Sequence, residues 1–165
     1  MVRTLLFFMQ GIPELMGIIA FSLALVRVPL RWGIITCAGT AMTVIIFIIR
    51  SLPMAYGLHT VVATLLVALF IIKTTRSSLS KSLIVAIASI CTLATIELAI
   101  NYIFFAVTKL DQQAVISNDY LLWKLLGLPQ DTLMILFAVI ISKLKKPDKN
   151  AWKVALPFSK GQADY

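Results

Sequence analysis

Charged side chains are scarce in this chain, and so are the residues that most often carry catalysis. Only 13% of its 165 residues are Asp, Glu, Lys or Arg, and it has one histidine and two cysteines. Neither an H-E-x-x-H pair nor a G-x-S-x-G motif occurs, so the usual parts of a metalloprotease or a serine hydrolase are missing. We therefore expect no enzyme, no cofactor and no metal. A metal bound by Glu14, His59 and Glu97 is an alternative that the residue types leave open.

Apolar residues, in contrast, make up 60% of the chain, and its mean hydropathy is +0.96. One soluble core of this size cannot bury so much apolar surface, which indicates an integral membrane protein. A spanning helix needs about 20 mostly apolar residues, and the runs 43–49 and 61–72 lack the alternating polarity of transmembrane β-strands. We predict an all-α polytopic transmembrane helix bundle with five spans: Thr4–Val26, Trp32–Ile49, Met54–Ile72, Ser82–Val107 and Leu121–Ser142.

The basic residues predict the orientation of this bundle. Five spans place the two termini on opposite sides, and the Lys and Arg residues then fall into groups of eleven and four. The positive-inside rule puts the larger group in the cytoplasm, so the N-terminus is expected outside and the C-terminus inside the plasma membrane. The inner group is Arg27, Arg31, Lys73, Arg76, Lys81, Lys143, Lys145, Lys146, Lys149, Lys153 and Lys160; the outer group is Arg3, Arg50, Lys109 and Lys124.

The chain divides into a transmembrane bundle, residues 1–142, and a basic cytoplasmic tail, residues 143–165. A cleaved signal peptide is an alternative interpretation of the first 25 residues. Pro13 and Glu14 interrupt the apolar region that such a peptide needs, and no convincing small-x-small cleavage site follows, so we expect the segment to be retained. Cys37 and Cys91 lie inside spans, where we expect them to be buried and apolar.

Every ionisable residue within the spans maps to the outer half of the bundle. Gln10 and Glu14 lie one helical turn apart, and Glu97 and Asn101 repeat that spacing. A charge in hydrocarbon costs about 2.5 to 3.5 kcal/mol on insertion scales, so such residues usually face the bundle interior and pair with one another. We predict one polar, ligand-binding cluster that opens outwards: Gln10, Glu14, Arg50, Tyr56, His59, Glu97, Asn101, Gln130 and Asp131.

Two simpler interpretations compete with this prediction. Arg50 and Lys124 lie near the ends of their spans, where long basic side chains reach back to the interface. Glu14 or Glu97 would then be a structural acid that bridges two helices without any ligand.

A proline motif recurs near the outer ends of spans one, three and five. The segments Gly11-Ile-Pro-Glu, Ser51-Leu-Pro-Met and Gly127-Leu-Pro-Gln share the pattern small-aliphatic-Pro-x. Each proline removes a helical donor and frees a carbonyl one turn earlier, so we predict helix kinks at Pro13 and Pro129. We assign Pro53 to an ordinary turn.

The tail combines lysines with scattered apolar residues, including Trp152. Each Lys near an anionic leaflet contributes on the order of 1 kcal/mol, so we expect the tail to lie on the inner membrane surface and not to bind nucleic acid. The lipid-contacting residues are Lys143, Lys145, Lys146 and Lys149. Small residues within the spans, among them Gly33 and Gly39, would permit a homo-oligomer and equally permit ordinary packing within one chain.

Three segments resemble a known family: Gln10-Gly-Ile-Pro-Glu, the run from Ile49 to Thr60, and Gly127-Leu-Pro-Gln. Together they are similar to the membrane sensor region of Gram-positive, peptide-sensing histidine kinases of the GHKL type, over residues 1–146. The resemblance implies signal perception and not catalysis. Because about 20 residues follow the last span, we expect no kinase domain in this chain, but a free-standing sensor or accessory subunit that acts on a kinase or regulator.

A transporter subunit is the main rival. The chain is similar in size to the vitamin-capturing components of energy-coupling-factor transporters, which have an outward pocket and need a separate motor protein. That family has six helices with both termini inside, so an extra short helix within Thr108–Leu128 would favour it. We otherwise expect this outer loop to cover the polar cluster.

Overall fold

The computed structural model describes residues 2–50, 58–113, 115, 120–148 and 151–153. Within these ranges the chain forms five α-helices and no β-strand, which confirms the predicted all-α class. The helices are α1 (Val2–Leu25), α2 (Trp32–Arg50), α3 (Leu58–Thr74), α4 (Leu79–Thr108) and α5 (Tyr120–Leu144).

Four of these helices, α1, α2, α4 and α5, are long and apolar enough to cross a membrane. The chain is therefore a membrane protein with several transmembrane helices. The helix α3 is equally apolar but shorter, with 17 residues, which corresponds to about 25 Å of helix. The predicted third span begins at Met54, and residues 54–57 lie outside the described ranges.

The helix α1 occupies the centre of the bundle. It contacts each of the other four helices and packs most extensively against α5 and α2. Every residue from Gly17 to Ala24 is buried. Apart from Ser22, this part of α1 is apolar on all sides, so other helices can pack around it on every side. The remaining helices form a wall around α1 in the order α2, α3, α4, α5.

Two glycines allow neighbouring helices to pack closely against α1. A Cβ atom at Gly17 would lie 3.2 Å from the Cβ of Met134 on α5, and one at Gly39 on α2 would lie 2.9 Å from the Cγ of Met16. Small residues at such points let helix backbones approach without the need for a second chain. Gly33 has no side-chain or backbone neighbour within 4 Å of this position among the described atoms.

The predicted proline sites lie inside continuous helices. The helix α1 runs through Pro13, and α5 runs through Pro129. The two helices that carry the closest copies of the motif are also the pair with the largest mutual contact. Kinking at the two prolines stays a prediction, and Pro53 lies outside the described residues.

The segments that follow α1, α3 and α5 meet at one end of the bundle. We call this the inner end, following the charge-based orientation, which itself stays a prediction. The N–H of Asp148 donates to the carbonyl of Arg27 (2.9 Å), and the N–H of Arg76 donates to the carbonyl of Ala151 (2.9 Å). The five helices therefore alternate in direction, as the division of the basic residues into an inner and an outer group requires.

The beginning of the tail is docked onto the protein at this end. Trp152 is 6% exposed, forms an isolated antiparallel bridge with Thr75, and donates from Nε1 to the carbonyl of Pro29 (2.9 Å). The expectation that the tail rests on lipid is wrong for Trp152, because the loops between helices offer its indole a carbonyl and an apolar niche. Lys143, Lys145 and Lys146 are exposed and remain able to meet lipid, whereas Lys149 lies outside the described residues.

The lateral surface of the bundle, which faces away from α1, is apolar. This holds above all on α4, where Leu98, Tyr102 and Val107 are among the most exposed side chains. Cys37 and Cys91 also lie on this surface, so the expectation that both are buried is wrong. In a bilayer, lipid tails cover such a surface, and a thiol is small and apolar enough to face them.

The loop between α4 and α5 begins with one helical turn. The N–H of Gln113 donates to the side chain of Asp111 (3.1 Å), and the N–H of Val115 donates to the Asp111 carbonyl (3.1 Å). Asp111 acts here as an N-terminal cap. Residues 116–119 lie outside the described ranges, so the extra helix that would favour a transporter subunit is neither found nor excluded.

Candidate ligand-binding site

A cavity of about 370 Å³ lies towards the end of the bundle opposite Trp152, which we call the outer end. All five helices contribute to its wall, since α1 is central and the other four surround it. Its lining is unusually polar for the interior of such an apolar protein. The polar lining residues are Gln10, Glu14, Thr43, Arg50, His59, Thr60, Glu97, Lys124 and Gln130.

The central helix supplies its deepest carboxylate. Gln10 and Glu14 lie on the same face of α1, one turn apart, and both line the cavity. Glu14 interacts electrostatically with Glu97 of α4, and also with Lys124 and Arg50. Below this level the lining becomes apolar, with Ile18 as the deepest α1 residue of the wall.

Helix α2 is fixed to α1 beside these residues. The Thr43 hydroxyl lies within hydrogen-bonding distance of two carbonyls, Gly11 at 3.1 Å and Gly39 at 2.8 Å. A Cβ at Gly11 would lie 3.0 Å from the Thr43 methyl carbon. The glycine of the Gly11-Ile-Pro-Glu motif thus lets α2 approach and holds the α1 wall in place.

The second glycine of the repeated motif has a different partner. Gly127 of α5 faces the side chain of Gln10, and a Cβ at this position would collide with the Gln10 amide. The absence of a side chain at Gly127 therefore makes the space into which Gln10 extends. This contact aligns Gln10 on α1 with the first half of α5.

Three buried acceptor atoms have no hydrogen-bond donor among the described residues: Oε1 of Gln10 and both carboxylate oxygens of Asp131. Asp131 is 1% exposed and lies one turn beyond Gly127 on the same face of α5. It interacts electrostatically with Glu14, Glu97 and Lys124. Buried polar groups are satisfied in the great majority of cases, and each exception calls for an explanation.

A shallower recess of about 350 Å³ continues outwards from the cavity. It shares Phe7, Arg50, Trp123 and Lys124 with the cavity wall and adds Arg3, Thr4 and Phe47. The Arg50 guanidinium carbon lies 5.5 Å from the centre of the Phe7 ring, and the Lys124 Nζ lies 5.9 Å from it. Both cations therefore lie within cation–π distance of the Phe7 ring, which stabilises them.

Six of the nine residues predicted to form the polar cluster line the cavity: Gln10, Glu14, Arg50, His59, Glu97 and Gln130. The structure thus brings them together, while their role as ligand contacts stays a prediction. Asp131 is buried beside them without belonging to the lining. Asn101 is half-buried, one turn further along α4, and is not part of the wall either. Tyr56 lies outside the described residues.

Lys124 is the main residue that the sequence prediction missed. The predicted cluster does not include Lys124, and one interpretation of the sequence places it at the membrane interface, but it is half-buried and lines both the cavity and the recess. The spacing along α5 could have predicted this position, because Lys124, Gly127 and Asp131 stand at i, i+3 and i+7 and so share one helix face. Arg50 does have the exposure expected of an interfacial residue, although it also lines the cavity.

Within the described part of the chain, no group of three or more His, Cys, Asp or Glu side chains is arranged to hold a metal ion. A cavity of this size, surrounded by charged groups of both signs, suits the binding of a small molecule.

A comparison with protein-family models, with curated proteins and with solved structures finds no match for this chain. The resemblance to the sensor region of histidine kinases therefore stays a prediction.

Proposed function

We propose that this protein is a small receptor of the plasma membrane. A solute binds in the outer cavity, and the change of state is relayed through α5 and the docked tail to a protein partner in the cytoplasm. The observation that carries the proposal is the cavity itself, in which Glu14, Glu97, Arg50 and Lys124 come from four different helices.

The outer half is poorly explained by stability alone. Burying an acceptor without a donor costs about 1 to 3 kcal/mol, yet Gln10 and Asp131 both leave such atoms inside the described protein. A bundle selected only to fold would place apolar residues there. Groups kept at a cost to stability are typical of functional sites.

The inner half suggests how a relay would work. The α5 helix carries Lys124 and Gln130 at the cavity and leads directly into the docked tail, where Asp148 binds the Arg27 carbonyl and Trp152 binds the Pro29 carbonyl. A shift of α5 against α1 would therefore change the inner surface. Such coupling needs a ligand with different affinity for the two arrangements.

Ligand binding can be tested on the purified protein in lipid nanodiscs. Low-molecular-mass fractions of growth medium should raise the melting temperature of the native protein, because a ligand that binds only the folded state stabilises it. The Glu14→Gln/Glu97→Gln variant should lose this response. Asp111→Asn is the matched control, since Asp111 is an exposed acid outside the cavity. A fraction that stabilises all three proteins equally would contradict the site.

The relay needs a separate readout. A fluorescent label at Lys146→Cys, in a variant whose Cys37 and Cys91 are replaced by Ala, reports on the exposed inner end next to α5. The fraction that stabilises the protein should also change this fluorescence. Stabilisation with no change at the inner end would contradict a sensor and favour the alternative below.

The alternative is a solute-binding subunit of a small-molecule transporter. The same cavity serves it equally well, and the helical turn at Asp111–Val115 lies in the loop where that class would have an additional helix. Uptake separates the two. A labelled ligand should accumulate in cells only when the chain is a transporter subunit, and only together with its motor protein.

A further inference from the structure

We propose that the ligand of the cavity is a small zwitterion. Its ammonium group would lie deep, near Glu14 and Glu97, and its anionic group would stay at the mouth, between Arg50 and Lys124. This inference rests on the proposed function only in so far as the cavity binds a solute.

The mouth of the site is cationic. Arg3, Arg50 and Lys124 line the outer recess, and its described lining contains no acid. Arg50 and Lys124 repel each other electrostatically. An anionic group between them would relieve this repulsion and accept hydrogen bonds from both.

The interior of the site is acidic. Glu14 lies eleven residues after Arg3 on α1, which corresponds to about 16 Å along the helix axis. Arg50 lies level with Phe7 and is therefore about 10 Å outward of Glu14 by the same rise. The carboxylates of Glu14 and Glu97 repel each other as the cations do. Charges of one sign are thus grouped at each level, although Lys124 also attracts both glutamates.

The unpaired acceptors point to a guest that donates hydrogen bonds. Gln10 lines the cavity one turn from Glu14, and its Oε1 accepts no hydrogen bond from a described residue. The two oxygens of Asp131, which also lack a described donor, lie behind this wall and do not line the cavity. An ammonium group carries three donors and no acceptor. A purely anionic ligand would leave Gln10 Oε1 unsatisfied and would add a third negative charge near Glu14 and Glu97.

The wall between the two levels suits an aliphatic spacer. Phe7 lines both the recess and the cavity, and the apolar residues Ile46 and Ala63 line the cavity from α2 and α3. A short methylene chain can pass these residues without losing a hydrogen bond.

Three probes of equal length test the inference on the native protein in nanodiscs of phosphatidylcholine and phosphatidylglycerol. They are 5-aminopentanoate, pentylamine and pentanoate, and the comparison is repeated with shorter and longer homologues. At one chain length or more, calorimetry should give the amino acid an affinity at least about tenfold higher than that of either monofunctional probe. Equal affinity for the alkylamine, or no binding by any homologue, would overturn the inference.

Charge variants assign the two ends. Glu14→Gln should reduce the affinity for the amino acid to that for the carboxylate alone, and Arg50→Gln should reduce it to that for the amine alone. Asp111→Asn and Arg76→Gln are the matched controls, because both residues are exposed and lie outside the cavity. A loss that is the same for all three probes in either cavity variant would contradict the assignment.

Two sources could supply such a zwitterion: a free amino compound from the medium, or the headgroup of an ethanolamine phospholipid. Nanodiscs that contain phosphatidylethanolamine distinguish them. If the lipid abolishes binding of the soluble probe, the headgroup is the ligand; if it has no effect, the ligand is soluble. Both results retain the zwitterion.

The inference and the proposed function can fail separately. If medium fractions stabilise the native protein but amino acids bind no better than amines, only the zwitterion is wrong. If amino acids bind but the label at Lys146→Cys never responds, the relay is wrong and the ligand chemistry stands.

Discussion

The two ends of the bundle differ in whether their polar groups have hydrogen-bond partners. At the inner end, backbone carbonyls left over by the helices are satisfied by the tail: Lys153 donates from its N–H to Thr74 (2.8 Å) and from Nζ to Ile72 (2.8 Å). At the outer end, Gln10 and Asp131 keep acceptors without a donor among the described residues. The inner end is closed by the chain's own hydrogen bonds, whereas the outer end keeps unpaired acceptors in the region where we propose that a ligand binds.

The reason lies in how each end terminates its helices. The α1 helix ends with Arg27 in the left-handed region (φ 60°), and Val28 and Arg27 donate back to the carbonyls of Leu23 (2.9 Å) and Ala24 (3.1 Å). This is the Schellman arrangement, which satisfies the last carbonyls within the helix. Most cavity residues lie within helices, where the backbone bonds are made except those that Pro13 and Pro129 cannot donate, so it is mainly their side chains that need partners. The inner end therefore serves stability, and we expect the outer end to give up stability for binding.

Trp152 should be the largest single contributor to the inner end. Trp152→Ala removes a buried indole, its hydrogen bond to Pro29 and its cation–π contact with Arg31 at 5.2 Å. We expect a loss of about 3 to 5 kcal/mol in the free energy of unfolding, measured by denaturant titration in micelles. Trp32→Ala is the control, because Trp32 is 41% exposed. Equal losses in the two variants would mean that the docked tail contributes no stability.

The contact between Gly127 and Gln10 tests the geometry of the outer end. Gly127→Ala places a methyl group where the Gln10 amide lies, and because the end of this flexible side chain can move aside we expect a cost of about 1 kcal/mol, at the low end of overpacking. Gln10→Ala should restore most of this loss in the double variant, since it removes the colliding atoms. Gly33→Ala has no neighbour to meet within 4 Å and should be neutral. Failure of the rescue would show that the two helices do not meet at this level.

The sequence predicted the coarse arrangement better than the contacts. Span limits and the grouping of basic residues follow from hydropathy and alternation, which depend on local composition. The packing of α1 at the centre does not, because five apolar helices of similar hydropathy can be arranged in many ways. The position of Lys124 was not predicted, because a lysine at the membrane interface and a lysine in the cavity differ in how deeply the side chain is buried, which the sequence does not give. Trp152 was misjudged because its partner, the Pro29 carbonyl, is 123 residues away in the chain.

A variant of Asp131 should show that the polar residues of the outer end lower the stability of the protein. The carboxylate oxygens of Asp131 have no donor in the described protein, so Asp131→Asn, which removes the charge at nearly the same side-chain size, should stabilise the ligand-free protein by about 1 kcal/mol, because a neutral amide costs less to bury than an unpaired carboxylate. Thermal unfolding in nanodiscs measures this change. Asp111→Asn should instead lose a few tenths of a kcal/mol, because Asp111 caps the turn at Gln113. A destabilised Asp131→Asn would indicate that the carboxylate is paired in the absence of ligand.

A polar pair on α1 and α4 lies in the inner half of the bundle, between the cavity and the docked tail. The hydroxyl groups of Ser22 on α1 and Ser89 on α4 lie 2.7 Å apart and are both fully buried. Interhelical hydrogen bonds in membranes have a mean coupling of only about 0.6 kcal/mol, so a double-mutant cycle of Ser22→Ala and Ser89→Ala should give a value of that size. Ser82→Ala is the control for a buried serine, since Ser82 bonds the Ser78 carbonyl of its own helix (3.0 Å). A coupling as large as the loss expected for Trp152→Ala would mean that the contact between α1 and α4, and not the docked tail, is the main stabilising contact.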